Sequence, residues 1–292
     1  MWWQNNMLEM LLSSHGWYAL FKIHWLIISA IVALLYIKYI IRSPLYSVTK
    51  AQQTYFFIAV GFFLLLKVTP IDIIGADYLF SVHTLQLSLL FFLVVPFLLL
   101  SLPKNFLRQS LWHHQAKFIL KILAHPWISL ITFNGLISIY YIPTVFNVVH
   151  NNILLSGLAQ LILFINAFFM WWVIINPIPE IKGLNYLMRA LYIFLASTIL
   201  MPTGFFYIVI QKAHFPMYLA TEGEIIPALT LIYDQQLAGG LLKFIQIISY
   251  AMALLFIFYR WGKQEQAMEG KVDEKNIRYA RGVVIHLDKE KK

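Results

Sequence analysis

The chain of 292 residues contains no cysteine. That absence excludes disulfides, thiolate metal centres and CxxC redox chemistry together. A metal bound here has to be held by His, Met, carboxylate or amide groups, a donor set compatible with copper among others. Charge is scarce too: Asp, Glu, Lys and Arg make up 12% of the residues, about half the share of a soluble domain. No Lys or Arg precedes Lys22, so the basic n-region of a cleaved signal peptide is missing and none is predicted.

What is abundant is apolar. The composition is 60% hydrophobic, the mean hydropathy is +0.71, and the apolar residues fall in long unbroken runs. Such runs are read as bilayer spans, which predicts an all-α, polytopic membrane protein with seven transmembrane helices. The spans are expected at 17–41, 54–67, 77–101, 126–143, 153–175, 184–210 and 235–261. The third rises about 37 Å as a helix, enough to cross a hydrocarbon core of about 30 Å with some tilt. Residues 1–16 form an outer amphipathic lead-in, with Trp2 and Trp3 at the headgroup level. Residues 17–261 form the seven-helix bundle, and 262–292 a charged cytoplasmic tail that reads as a solvated extension.

Basic residues orient the spans. Lys38, Arg42 and Lys50 flank the first connection. Lys104, Arg108, Lys117 and Lys121 lie in the third, Lys182 and Arg189 in the fifth, and nine basic residues follow from Arg260. The alternate connections hold little beyond Lys67 and Lys212. This asymmetry places the N-terminus outside and the C-terminus in the cytoplasm. The net charge of +9 is thus a topology signal rather than a nucleic-acid footprint. The partner expected from composition is the lipid bilayer, with no nucleic acid. No internal repeat is evident, which leaves a transporter reading unsupported.

The polar residues inside the spans carry the functional question. His83 and Gln86 stand one helical turn apart in the third span, with His83 about 8 to 10 Å below the outer boundary at the rise of a helix. An intramembrane histidine is costly and is a functional-site candidate by default. The competing reading is an interhelical hydrogen bond, which is favoured for Gln86. His24, His150 and Asp234 fall at a similar level on the outer side, with His15, His214, Asp72, Asp77, Glu222 and Glu224 near them. His150 taken alone reads as a surface histidine. The pair His113-His114 reads as exposed groups in a basic loop. Lys243 lies too deep to snorkel and needs a partner or a water path. Ala238, Gly239 and Gly240 permit close helix approach, and Met201-Pro202 predicts a kink.

Five segments in order carry a family resemblance: FSVHTLQLSLLFFLVVPFLLLSLP, the HP that opens span four, YIPTVFNVVH, FFMWWVIINPIPE and DQQLAGGLLKFIQ. Together they resemble the CtaG family of haem–copper cytochrome c oxidase assembly factors of Bacillus-type bacteria, over about residues 72–261. The resemblance implies a multi-pass protein of the bacterial plasma membrane that serves maturation of cytochrome c oxidase at the level of copper insertion, with oxidase subunits as partners. It maps the family motif onto His83 and Gln86, His125 and Pro126, Asn147 and His150, and Asp234 and Gln235. The chain departs from the family pattern at Leu87, and in span five it offers Gln160, where many members carry further histidines.

The expectation is therefore an assembly factor that is not an enzyme. Its hypothetical metal set is His83 and His150, completed by Asp234 or His24, while Gln86, Asn147, Gln235 and Lys243 are structural polar groups. Copper is the possible cofactor. Two alternatives stay open: a metal-free scaffold for oxidase subunits, and a haem-binding protein using His24 and His83 from two spans.

Overall fold

The computed structural model describes residues 2–111, 114–178, 183–274, 277–280 and 283–286, with side chains for those between 9 and 266. His113, Pro179, Lys182 and the side chains of Trp2, Trp3 and His286 lie outside the described residues. The main helices are α1 (Trp2–Leu20), α2 (Ile23–Tyr36), α3 (Lys50–Val68), α4 (Phe80–Ser101), α5 (His114–Leu123), α6 (Pro126–Tyr140), α7 (Pro143–His150), α8 (Ile153–Ile175), α9 (Tyr186–Val209) and α10 (Leu231–Glu274). A short antiparallel hairpin, β1 (Ile277–Ala280) and β2 (Val283–His286), follows in the tail. The architecture is that of an all-helical bundle.

Six stretches are long and apolar enough to cross a membrane: Glu9–Ile41, Lys50–Val68, Phe80–Ser101, Ile153–Ile175, Tyr186–Val209 and Leu231–Gln266. The expected fourth span, 126–143, corresponds to α6, whose 15 residues are not among these six. A seventh crossing arises only if α6 is joined to α5, whose residues the sequence reading assigns to the preceding connection. α5 and α6 meet at 65°, because Pro126 has no N–H to donate and holds His125 in an extended conformation (φ −66°, ψ 130°). The first span is also interrupted. α1 bends at Gly16, whose φ of +72° is open to glycine at little cost. The chain then breaks again at Lys22 before α2. The lead-in is thus helical and is set off from α2 by these two breaks.

α4 is the hub. Of its most apolar stretch 61% is buried, against 17% to 44% for the other spans, and it packs on α3, α8 and α10. Its middle carries one π-helical turn, Leu90–Val94, just before Pro96. The missing proline N–H leaves the Phe92 carbonyl without its helical donor, and no water reaches it at that depth. The Ser249 hydroxyl of α10 donates to that carbonyl, and Trp171 Nε1 of α8 donates to the Phe91 carbonyl at 2.9 Å. The defect in one helix is closed by its two neighbours.

The outer faces of the bundle are apolar. Ile27, Ile31 and Leu34 on α2, and Phe244, Ile247 and Leu255 on α10, are exposed, an arrangement suited to lipid rather than water. α9 and α10 approach closely at two glycines. A Cβ on Gly239 would lie 2.6 Å from the Gly204 carbonyl oxygen, and one on Gly204 would lie 2.5 Å from the Lys243 stem. Lys243 therefore runs across Gly204, and its ammonium donates to Gln246 Oε1 at 2.5 Å and to the Ser197 carbonyl at 3.4 Å. The partner required of a deep lysine is supplied within the bundle. α9 itself breaks at Leu200, where Pro202 opens its second half, as the Met201-Pro202 pair predicts.

Candidate functional site

The connection between α3 and α4 folds back over the start of α4. Its π turn, Ile74–Tyr78, brings Gly75 so near that a Cβ there would lie 2.9 Å from the His83 amide nitrogen. Only glycine allows that approach. Tyr218 donates its hydroxyl to the Gly75 carbonyl at 2.8 Å, and the neighbouring Ala76 carbonyl receives His150, 2.7 Å from its Nε2. The same end of the bundle is covered by α1, whose Leu11 and Leu20 pack with Ile73, Tyr78 and Leu79.

Two imidazoles come together beneath this cover. His83, buried on the first turn of α4, and His150, at the end of α7, lie with ring centroids 5.4 Å apart at 76°. Phe146 stacks on His150 at 5.0 Å and meets His83 edge-on at 5.2 Å. His83 Nε2 sits 2.9 Å from the Tyr140 hydroxyl. A carbonyl accepts only, so in the neutral ring His150 Nε2 carries the proton and Nδ1 keeps its lone pair. That Nδ1 is buried and has no hydrogen-bond partner. Burial pushes the His150 imidazole below its ordinary pKa, although its bond to Ala76 and the nearby Asp77 oppose the shift. His150 is thus held neutral with one buried lone pair unused.

A second cluster surrounds Asp72, buried in the same connection. Lys22, from the break between α1 and α2, pairs with Asp72 Oδ2. Lys67, from the end of α3, lies 3.0 Å from Oδ1 and also donates to Gln160 Oε1 of α8 at 2.9 Å. Gln86 Nε2 reaches the same Oδ1 at 2.5 Å and is shared with the Leu66 carbonyl. Burial disfavours the charged carboxylate, but the two ammonium groups outweigh it and hold Asp72 below its ordinary pKa. One carboxylate therefore ties the start of α2 to α3 and α4, and Lys67 carries the link on to α8.

The remaining sequence-derived candidates have definite places. Asp234 accepts from the amides of Phe80 at 2.7 Å and Ser81 at 3.2 Å. A carboxylate from α10 thus satisfies the free N–H groups that open α4. Gln235 accepts from the His214 amide at 3.0 Å and donates to the Leu231 carbonyl at 3.0 Å, while Asn147 Nδ2 reaches the His214 carbonyl at 3.4 Å. Both anchor the connection that follows α9. His24 is exposed, with Tyr18 and Trp25 as its ring neighbours. The structure therefore joins His83 with His150 but puts Asp234 to use as a cap and leaves His24 on another surface. Leu87 is fully buried in the core. Among the described residues, no three or more His, Asp or Glu side chains form a group that could hold a metal ion.

Sequence reasoning passed over the Lys22–Asp72–Lys67 cluster and the hydroxyl of Tyr140. The signal for the first was present: Lys67 ends an apolar span only five residues before Asp72, a spacing at which burial forces pairing.

Fold and site together define a polytopic α-helical membrane protein, one end of which closes over a buried imidazole pair and a buried ion cluster. Residues 33–264 match the family model described as cytochrome c oxidase caa3 assembly factor, Caa3_CtaG, and the chain belongs to that family. Comparison with curated proteins and with solved structures finds no match.

Proposed function

We propose that this chain is a non-catalytic assembly factor of the bacterial plasma membrane, and that it serves maturation of a copper centre of cytochrome c oxidase at the outer side of the membrane. Family membership supports the oxidase-assembly part of this reading. The observation that carries the copper part is the His83–His150 pair, with His150 Nε2 tied to the Ala76 carbonyl and Nδ1 buried without a partner. Metal-ligating histidines characteristically donate their second nitrogen to a carbonyl in this way. The residues present fit an ion held by two imidazoles, since Asp234 is occupied as a cap and His24 lies elsewhere. Such a site, when loaded, supplies a low-coordinate ion that a better-furnished acceptor can take. His83 and His150 hold it, and Phe146 and Tyr140 screen it.

The test is copper(I) stoichiometry in the purified full-length protein. About one ion per chain is expected for wild type, and close to none for His83→Ala combined with His150→Ala. No copper on the wild-type protein, or the same stoichiometry in the double variant, overturns the reading. A metal-free scaffold for oxidase subunits is the second reading, favoured by the lack of a three-ligand group among the described residues. It predicts that cells carrying the double variant retain cytochrome c oxidase activity.

A further inference from the structure

The opposite end of the bundle is built differently. Lys104 follows α4, Arg189 lies in the first turn of α9, and Arg260 and Lys263 lie on α10. All four line one open cleft of about 350 Å³. Asn176, Tyr186 and Gln264 complete its wall. None of the four cations forms an ion pair with a carboxylate among the described residues. The acid next to them in sequence, Glu265, accepts from Trp261 Nε1 at 3.0 Å.

A positive-inside signal asks only that basic residues stay on one side. It does not ask that they converge from three segments, where their mutual repulsion works against the fold. Here the convergence is constructed. Arg189 is only 8% exposed, and its Nε donates to the Leu184 carbonyl at 2.8 Å. Its guanidinium lies 5.0 Å from the Tyr186 ring centroid. Asn176 ends α8 in a left-handed conformation (φ +45°). With its amide nitrogen donating to the Ile178 carbonyl at 3.3 Å, its oxygen accepts from Arg189 Nη2 at 3.2 Å. Tyr186 in turn donates to Gln264 at 2.8 Å and stacks near Trp261. The planar fork of Arg189 is therefore fixed with donors to spare, the geometry suited to phosphate oxygens.

We infer that this cleft binds the phosphate headgroup of an anionic phospholipid from the surrounding bilayer. Two observations favour a lipid over a free anion. The cleft sits where the apolar spans end, beside Tyr186 and Trp261, aromatic residues of the type found at the headgroup level. The same two helices carry Leu191 and Phe194 on α9 and Leu255 and Phe258 on α10, all exposed, so the elements that hold the cleft present apolar side chains of the kind that face lipid. Basic pockets between membrane helices are established as headgroup sites in general.

The test uses the full-length protein, delipidated in detergent and titrated with phosphatidylglycerol, phosphatidylcholine or inorganic phosphate, with binding read by native mass spectrometry and thermal shift. Phosphatidylglycerol is expected to bind and stabilise, and the other two are not. Lys104→Gln with Lys263→Gln, both at exposed positions, is expected to weaken phosphatidylglycerol binding about 30-fold, at about fivefold per charge. The charge-matched control, Lys117→Gln with Lys121→Gln on α5, is expected to bind as wild type does. If the first double variant does not fold, Lys263→Gln alone carries the test, with about fivefold weaker binding expected. Equal binding of phosphatidylcholine, equal loss in the α5 control, or a response to inorganic phosphate that matches the lipid overturns the inference.

Discussion

The two ends of this bundle handle charge in opposite ways. At the end with the histidines, Asp72 is buried beneath α1, and each of its oxygens has an ammonium partner. At the other end four cations share an open cleft without a carboxylate among the described residues. The first arrangement is closed and self-satisfied, because a buried charge without a partner is too costly to keep. The second is open, and water screens its repulsion. Charges at the closed end therefore belong to stability, while those at the open end are available to a ligand.

Substitutions that break this contrast should differ in size. The largest effect is expected from Asp72→Ala, which strands Lys67 in the bundle without its counter-ion. The loss should be about 3–5 kcal/mol by analogy with broken buried pairs, read by unfolding in detergent. The same group gives a pH signature. Its folded pKa lies below the unfolded value, so its contribution is full above about pH 3.9. That contribution is lost as pH falls through the folded pKa, and the loss should be absent from the Asp72→Ala variant. A stability that is unchanged in the variant would mean that the cluster ties nothing together.

A smaller effect is expected from Asp234→Ala, which removes the cap on α4. The expected loss is about 0.5–2 kcal/mol, and amide hydrogen exchange should rise first at Phe80 and Ser81. Unaltered exchange there would deny Asp234 its capping role. The smallest effect is expected at the open end. Lys263→Gln should move stability in lipid-free detergent by no more than about 0.5 kcal/mol, as an exposed group with no ion-pair partner among the described residues. A loss as large as that of Asp72→Ala would erase the distinction between the two ends.

Much of the fold was legible in the chain itself. The long apolar runs predict the spans, and the structure shows six with a bent seventh. The start of α6 was legible in His125-Pro126, and the break of α9 in Met201-Pro202, because proline acts on its own backbone. The partners of α4 were not. Nothing near Phe92 in the sequence announces that Ser249, from a helix more than a hundred residues away, will close the gap that Pro96 opens.

The site divides along the same line. His83 stood out because a histidine inside an apolar run is conspicuous by its cost. His150, at the edge of a span, looked like a surface group. Only the fold-back of residues 74–78, which Gly75 permits, brings the Ala76 carbonyl to it and His83 beside it. Asp234 fell at the right depth for a ligand, yet depth says nothing of direction, and the open N–H groups of α4 claim it.

The sequence by itself determined that this is a membrane-spanning, all-helical chain, that proline breaks it at Met201-Pro202, and which polar residues lie within the apolar runs, since all of these follow from local composition and backbone chemistry. Only the tertiary structure decided which polar groups meet. Pairing across the bundle depends on how each helix is rotated about its axis and on where a connection folds back, and neither quantity is encoded in spacing along the chain.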